Sequence, residues 1–509
     1  MKKLIAMSTA AAIAATMSFA ASDDDLRAEL EALKKEVQAL KKQTKGLKAK
    51  RLKKQISELK SAALNDNIKW NVDFRSAFDY IHYEYNDGSS DANQIFTNRL
   101  WLGMKYAPTQ NLSFIGTLSY YKMYGQLPSP AMGFNYFDWV VNETPNDGTV
   151  RVKEAYFIYF GDKLFGANVP WTASIGRRPA TDGLLVNYRE DQNPKSPIGH
   201  IINTEFDGAS FKFDLSNVTD IPGMYFKLCM GRGMTNANSR YAVQVDGVNY
   251  TKLDGWDHTD LAGFIFVPYD DGQYSVHTTW FRAFNLPGMY GTEYYYNGLT
   301  GAPIGPNPQT MEFKQGGDMD GAAISLLAEG IGDGINDFLD ETNFFVSFAW
   351  SKTRPGGSHN ASMIDVTGTN PTMDTLVDNA MLGSNDNETG NSIYVGTNFP
   401  VMFIDGGRIG LEYNHGSEYW RSFTYAEDTL AGSKLATRGD AYEIWYNQEL
   451  IGKTLTAQVR YTYMDYDYTG SQGFFGEAGA PIDQSDAEAM GMVSVEKAQD
   501  LRVYVRYRY

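Results

Sequence analysis

From Asn67 onward apolar and polar residues alternate one for one. Ile68, Trp70, Val72 and Phe74 fall on one face, and Lys69, Asn71, Asp73 and Arg75 on the other. Period two over eight residues predicts a strand with one apolar and one polar face. The pattern recurs as hairpins. Leu100, Leu102, Met104 and Tyr106 alternate with Arg99 and Lys105, a turn over 108–111 follows, and a new strand begins at Leu112. Segments 261–267 and 274–284 flank a turn at 270–273, and 441–449 and 455–463 flank one at 451–453. Between such hairpins lie long stretches rich in Gly, Asn, Asp and Pro, at 178–202, 233–257, 285–318 and 353–389. Sixteen strands are predicted, near 68–84, 94–107, 111–124, 150–161, 169–177, 203–215, 222–232, 258–268, 273–284, 319–329, 341–352, 390–400, 406–419, 438–450, 454–468 and 494–509. Residues 486–493 fall in the last long loop, and eighteen strands follow if a long loop holds another pair.

Upstream the period changes. Leu26, Leu30, Leu33, Val37, Leu40, Thr44 and Leu47 follow a 4-3 spacing; the phase slips near Gly46, and Leu52, Ile56, Leu59 and Ala63 resume it. This predicts an α-helical coiled coil over residues 21–64 with those leucines, Val37 and Ile56 as its core, and with its winding altered at the slip. A helix over 26–64 would reach about 58 Å. Before it, Lys2 and Lys3, an apolar stretch over 4–15 and the small residues of Ser18-Phe19-Ala20 predict a signal peptide over 1–20 and a mature start at Ala21.

Composition narrows the class. The 509 residues include 33 Tyr, 28 Phe and 49 Gly, with a mean hydropathy of -0.39, and no Pro- or Ser-rich linker divides them. Beyond the N-terminus no run approaches the roughly 18 apolar residues of a spanning helix, which excludes a helical membrane protein. Cys229 is the one cysteine, which excludes a disulfide scaffold, and it reads as a small packed residue. The net charge of -16 is an average over unlike parts. The leader carries +2 and residues 21–64 carry +5, from 12 Lys and Arg against 7 Asp and Glu, which leaves -23 on residues 65–509. The basic arm reads either as a solvated, self-associating stalk or as a contact for an anionic periplasmic polymer such as peptidoglycan.

Short turns alternating with long loops are the asymmetry of a transmembrane up-and-down antiparallel β-barrel, with tight periplasmic turns and long external loops. At the C-terminus Leu501, Val503, Val505, Tyr507 and Tyr509 alternate with Arg502, Tyr504, Arg506 and Arg508, and the chain stops on an aromatic residue. This resembles the assembly signal of Gram-negative outer-membrane barrels, carried here by Tyr507 and Tyr509; the usual last residue is Phe. The layout, a helical arm followed by a barrel over 65–509, is similar to that of sucrose porins, of porins tethered to the cell wall and of uncharacterised porin-like families with an N-terminal coiled coil. The resemblance implies the outer membrane as location, with the arm in the periplasm, and a homotrimer in contact with outer-membrane lipid. It supplies no substrate.

Charge on the lipid-facing parity costs about 2–4 kcal/mol for Arg or Lys at mid-depth, so charged residues point inward. Arg75, Arg99, Arg408, Arg460, Arg502, Arg506 and Arg508 are therefore expected in the lumen or at its mouth, with Arg177 and Arg178 at a strand end and Asp73 and Glu412 among the partners. Acids gather in the expected external loops: Asp79, Glu84, Asp87 and Asp91 in 76–98, five in 355–389 and six in 463–490, each stretch without Lys or Arg. An acidic vestibule over an Arg-rich lumen would lean toward anions. Alternatively the arginines are neutralised by neighbouring carboxylates. Tyr394 and Tyr504 are candidates for inward aromatics.

Enzyme motifs are nearly absent. The six histidines are dispersed, with no metal-ligand spacing; His277 lies near Ser275 and Asp271, read as chance, and the Asp-rich run at 332–337 reads as a turn. No cofactor, metal or nucleic acid is implied. The sequence therefore points to an outer-membrane porin for passive diffusion of small hydrophilic solutes or ions, with 178–202 folding inward to narrow it. The other reading is a structural tether or adhesin whose barrel is an anchor.

Overall fold

The computed structural model describes residues 68–126, 144–145, 148–178, 183–237, 250–252, 257–301, 303–307, 310–332, 334–424, 429–473, 476 and 479–509. The signal peptide and the coiled-coil arm lie outside the described residues. Sixteen antiparallel strands close into one barrel. They are β1 Lys69–Tyr85, β2 Ser90–Thr109, β3 Leu112–Met123, β4 Arg151–Gly161, β5 Trp171–Arg178, β6 Phe206–Asp214, β7 Tyr225–Met234 and β8 Thr259–Asp270. The second half comprises β9 Tyr274–Gly291, β10 Met311–Glu329, β11 Asn343–Pro355, β12 Thr389–Pro400, β13 Gly407–Gly416, β14 Gly439–Ile451, β15 Leu455–Tyr466 and β16 Val495–Arg508. Each strand pairs with the next, and β1 pairs with β16. Tyr509 completes the seam, exchanging backbone hydrogen bonds with Val72 at 2.8 and 2.9 Å. Closure leaves no strand edge unpaired, which is what an all-β wall needs in an apolar medium.

Period-two alternation sorts the side chains as the sequence implies. Phe74, Phe157, Leu228, Ile324, Phe348, Leu411, Ile444, Val459, Val503 and Val505 are exposed on the outer face, while Arg75, Asp79, Trp101, Ser119, Glu443, Arg460, Arg502 and Arg506 are buried inside. Two loop expectations are corrected. Residues 76–98 are not a loop: β1 and β2 run on as one hairpin paired from Lys69–Lys105 to Glu84–Ser90, so Asp79 belongs to the inner wall and not to an external acidic loop. The long stretches at 285–318 and 353–389 also hold structure. Beyond the extended ends of β9 and β10, Glu293–Tyr296 pairs antiparallel with Pro303–Pro306 and parallel with Ser358–Asp365, which pairs in turn with Met373–Asp378.

Two connections enter the barrel. After β5 the chain forms a short 3-10 turn, Val186–Glu190, and returns through Lys195–Ile198 and Ile202–Asn203 before β6. After β13, Phe423–Thr424 pairs in parallel with Ile202–Asn203 and is followed by a 3-10 turn at Lys434–Ala436. The two arms of the first insertion approach so closely that a Cβ on Gly183 would stand 2.9 Å from the Cα of Gly199. Leu184, Leu185, Val186, Ile198, Ile201 and Ile202, with Trp420, Phe423 and Leu435, form a buried apolar cluster with inward residues of β8–β12 that include Phe281, Met319, Phe345 and Tyr394. Each such Leu or Ile buried stabilises by about 1.5–3 kcal/mol, enough to hold the insertions against that wall.

Candidate functional site

The interior is two-sided. The inner face of β8–β12 is largely apolar and carries the insertions; the inner face of β13–β16 and β1–β2 is charged over its middle and turn end, with a small apolar cluster of Ile81, Ala441, Met464, Tyr466 and Ala498 toward the loops. The first insertion spans the two, because its apolar residues are followed by Arg189, Glu190 and Asp191. The backbone turns sharply at both ends of that stretch, with Leu185 at φ 84° and Asp191 at φ 46°, in the left-handed region.

Glu190 is the centre of the contact. Its carboxylate accepts from Arg506 Nη1 at 3.1 Å, from the Tyr504 hydroxyl at 3.1 Å and from Arg460 Nη1 at 3.4 Å. Arg189 donates to Glu443 at 3.4 Å, and its carbonyl accepts from Gln458 at 2.6 Å and Asn447 at 3.1 Å. Asp191 is held by Arg508 at 3.1 Å and Lys453 at 3.3 Å. Three consecutive residues thus bind β14, β15, β16 and the turn between β14 and β15. From the second insertion Lys434 reaches both Glu412 and Glu443; Glu412 also accepts from Trp445 Nε1 at 2.8 Å and from Tyr394, and Glu443 from Thr462 at 2.7 Å.

Every sequence-predicted arginine lies on the inner side or at an end of the barrel. Arg502 pairs with Asp79, and Arg506 donates from Nε to Asp73 at 2.8 Å. Arg75 donates to Tyr121 at 3.3 Å and lies over the Tyr504 ring at 5.4 Å, and Arg99 stacks on Trp101 at 3.6 Å. Arg177 donates to Glu205 at 2.7 Å, beside Lys153 at 3.0 Å from the same carboxylate, while Arg178 lies over Tyr156 at 4.2 Å. Arg408 bonds Asn398 at 2.6 Å at the turn end. Tyr507 and Tyr509 are exposed on the outer side of the seam. Of these arginines, the structure gathers Arg460 and Arg506 on one carboxylate, Glu190.

Sequence reasoning missed Arg189, Glu190, Lys434 and Glu443. Glu443 was readable, since Tyr442 and Ile444 point outward on either side of it; the other three sit in loops without a period. The Ser275–His277 contact forms at 3.0 Å, but Asp271 is spent on its own turn, accepting from Tyr269 at 2.6 Å and from the N–H of Tyr274 at 2.7 Å. No group of three or more His, Cys, Asp or Glu among the described residues is arranged to hold a metal.

Two polar cavities enter from opposite ends. One of about 400 Å³ opens at the turn end between Glu190, Asp191, Arg408, Asn447, Lys453 and Arg508. The other, about 350 Å³, opens at the loop end between Tyr83, Thr424, Thr429, Ser433, Ser471 and Gln472. The ion pairs of Arg189, Lys434, Glu443 and Arg460 lie between them, with a small buried apolar cluster of Ile81, Ala431, Ala441, Met464, Tyr466 and Ala498 on their loop side.

A family described as "Protein of unknown function (DUF3373)" matches residues 89–509. No curated protein matches the chain. Among solved structures it is similar to an anion-selective porin from Comamonas acidovorans, at 11% identity and a TM-score of 0.44, covering 87% of this chain and 100% of that one. It is similar also to OprB of Pseudomonas putida, at 12% and 0.44, covering 87% and 94%. OmpF of Salmonella typhi, in complex with daunomycin, matches at 10% and 0.41, covering 87% and 98%.

Proposed function

The chain belongs to the family described as protein of unknown function (DUF3373), a description that assigns no activity, and we propose from the barrel itself that it is an outer-membrane channel for passive diffusion of small hydrophilic solutes or ions. One observation carries the reading: a cavity with a partly polar lining opens at each end of a lipid-compatible barrel. An apolar outer face suits lipid, and a charged inner face suits water. The inserted Arg189-Glu190-Asp191 stretch narrows the path, so solutes pass along the charged wall and not along the apolar one.

Selectivity leans weakly toward anions. Arg99, Arg75 and Arg506 form one cross-strand row on the inner wall, with Arg460 and Arg502 in another, which concentrates positive potential along the path. Asp73, Asp79, Glu190 and Glu443 offset most of it. The channel-lining set is therefore Arg75, Arg99, Arg460, Arg502 and Arg506 in the lumen, Arg408 and Arg508 at the turn-end mouth, and Arg177 and Arg178 on the wall at β5. In the assembled protein the basic arm over 21–64 joins three copies or contacts peptidoglycan.

The second reading, a tether or adhesin with the barrel as anchor, is favoured by the apolar cluster that the insertions build inside the wall. Reconstituted vesicles separate the two. Swelling in iso-osmotic sugars and amino acids at rates that fall with solute size supports the channel; vesicles that swell no faster than protein-free ones support the anchor.

A further inference from the structure

The outer face of the barrel is not uniform around its loop-end rim. On β9–β11 one outward cross-strand row reads Arg282, Asp320, Lys352, with Ala262 of β8 beside Arg282 and Arg354 next up β11. Arg232 on β7 stands opposite Asp260 on β8. The outward row one step nearer the membrane is Leu228, Phe264, Trp280, Ala322 and Trp350. Two residues along a strand are about 6.8 Å, so Arg282 and Lys352 sit just above Trp280 and Trp350. Tryptophan marks the level where hydrocarbon gives way to headgroups.

The acids on this arc position the cations. Arg282 holds Asp320 through Nε and Nη2 at 2.7 and 2.8 Å, Arg354 holds the same carboxylate through Nε at 2.6 Å, and Arg232 holds Asp260 at 2.6 and 3.0 Å. Asp318 accepts from the N–H of Asn285 at 3.0 Å. A guanidinium has five N–H donors, so each arginine is fixed by its Asp with donors left over. The side chains of Arg232, Arg282 and Arg354 remain 44%, 31% and 37% exposed. Lys352 has no ion-pair partner among the described residues. The opposite arc has the other sign: His415, Asp440, Asp465, Lys497 and Glu84 are successive outward neighbours on β13–β16 and β1.

We propose that the outer surface of β7–β11 docks the phosphorylated headgroup of an outer-leaflet glycolipid, with Arg232, Arg282, Lys352 and Arg354 on its phosphates and its acyl chains along Phe264, Trp280 and Trp350. Charge complementarity selects this occupant: preorganised guanidinium groups and an ammonium above an apolar, tryptophan-bearing belt match phosphate oxygens above acyl chains. The proposal rests on the outer-membrane placement given above, and not on conduction.

The full-length protein in a neutral detergent is titrated with bis-phosphorylated lipid A and with the same glycolipid stripped of both phosphates, and bound lipid is counted by native mass spectrometry. Preference for the phosphorylated form by at least about tenfold is expected, the scale of a few charge-assisted hydrogen bonds. The triple variant R282Q/K352Q/R354Q should lose that preference, and K497Q on the opposite arc should keep it. Equal binding of the two lipids by the wild-type protein overturns the proposal without any variant; so does a folded triple variant that still discriminates. A wild-type protein that discriminates but does not conduct would defeat the channel reading alone.

Discussion

Arg460 and Arg502 face each other directly across β15 and β16, both almost fully buried. Like charges opposed on a sheet destabilise it, so the pair persists through its acids: Asp79 takes Arg502, while Glu190 and Glu443 flank Arg460. Asp73, Asp79, Glu190, Glu412 and Glu443 thus tie the wall strands to one another or to an insertion.

Removing Asp79 should therefore be costly. Asp79→Asn leaves Arg502 buried beside Arg460 without its carboxylate, and breaking such a pair costs about 3–5 kcal/mol. The urea midpoint of the refolded protein reports this. A midpoint equal to wild type would show that Asp79 does not hold the pair.

Glu190→Gln tests the inserted stretch. With its charge gone, Arg460, Arg506 and Tyr504 lose their common carboxylate and keep only an amide oxygen in its place, and the stretch should leave the charged wall intermittently. Larger, noisier unitary currents are expected in a planar bilayer. Currents indistinguishable from wild type would place the constriction elsewhere.

His200 makes the insertion sensitive to acid. The ring is fully buried between Ser347 and Ser392, 2.9 Å from each hydroxyl, and burial lowers its pKa from the ordinary 6.5 to about 3. Between those values the unfolded chain binds a proton that the folded site refuses. The contribution is therefore complete above pH 6.5 and declines as pH falls toward 3. Urea midpoints at pH 7.5 and 4.5 should differ more in wild type than in His200→Gln. Equal differences would remove His200 as the cause.

At the loop end Asp365 is a separate anchor. It accepts the N–H groups of Gly298, Thr367, Thr369 and Asn370 at 2.8 to 3.0 Å and both threonine hydroxyls, which hold its carboxyl well below the usual range. Asp365→Ala should expose 297–301 and 366–370 to protease while the barrel stays folded. Cleavage at the wild-type rate would contradict this role.

The barrel was legible because lipid on one side and a polar interior on the other impose period two, as at 68–75 and 501–509. Asp79 was misplaced in a loop because acid content was weighed above alternation, which continues through Phe78 and Tyr80. The charged wall followed from parity. The insertions did not: Arg189, Glu190 and Lys434 act through tertiary docking, and their chain segments have no period. Trp420, Phe423 and Leu435, bulky apolar residues in a loop, were the one available sign of a second insertion. The four-stranded sheet beyond the rim is built from strands of four to eight residues, too short for alternation to stand out.

Conduction is the central claim, and single-channel recording of the purified full-length protein in a planar bilayer tests it most directly. The account predicts discrete unitary currents with a reversal potential in a salt gradient that leans weakly toward anions, and a shift toward cations in R75Q/R99Q. A folded, heat-modifiable protein that inserts and never conducts would contradict it and leave the barrel as an anchor.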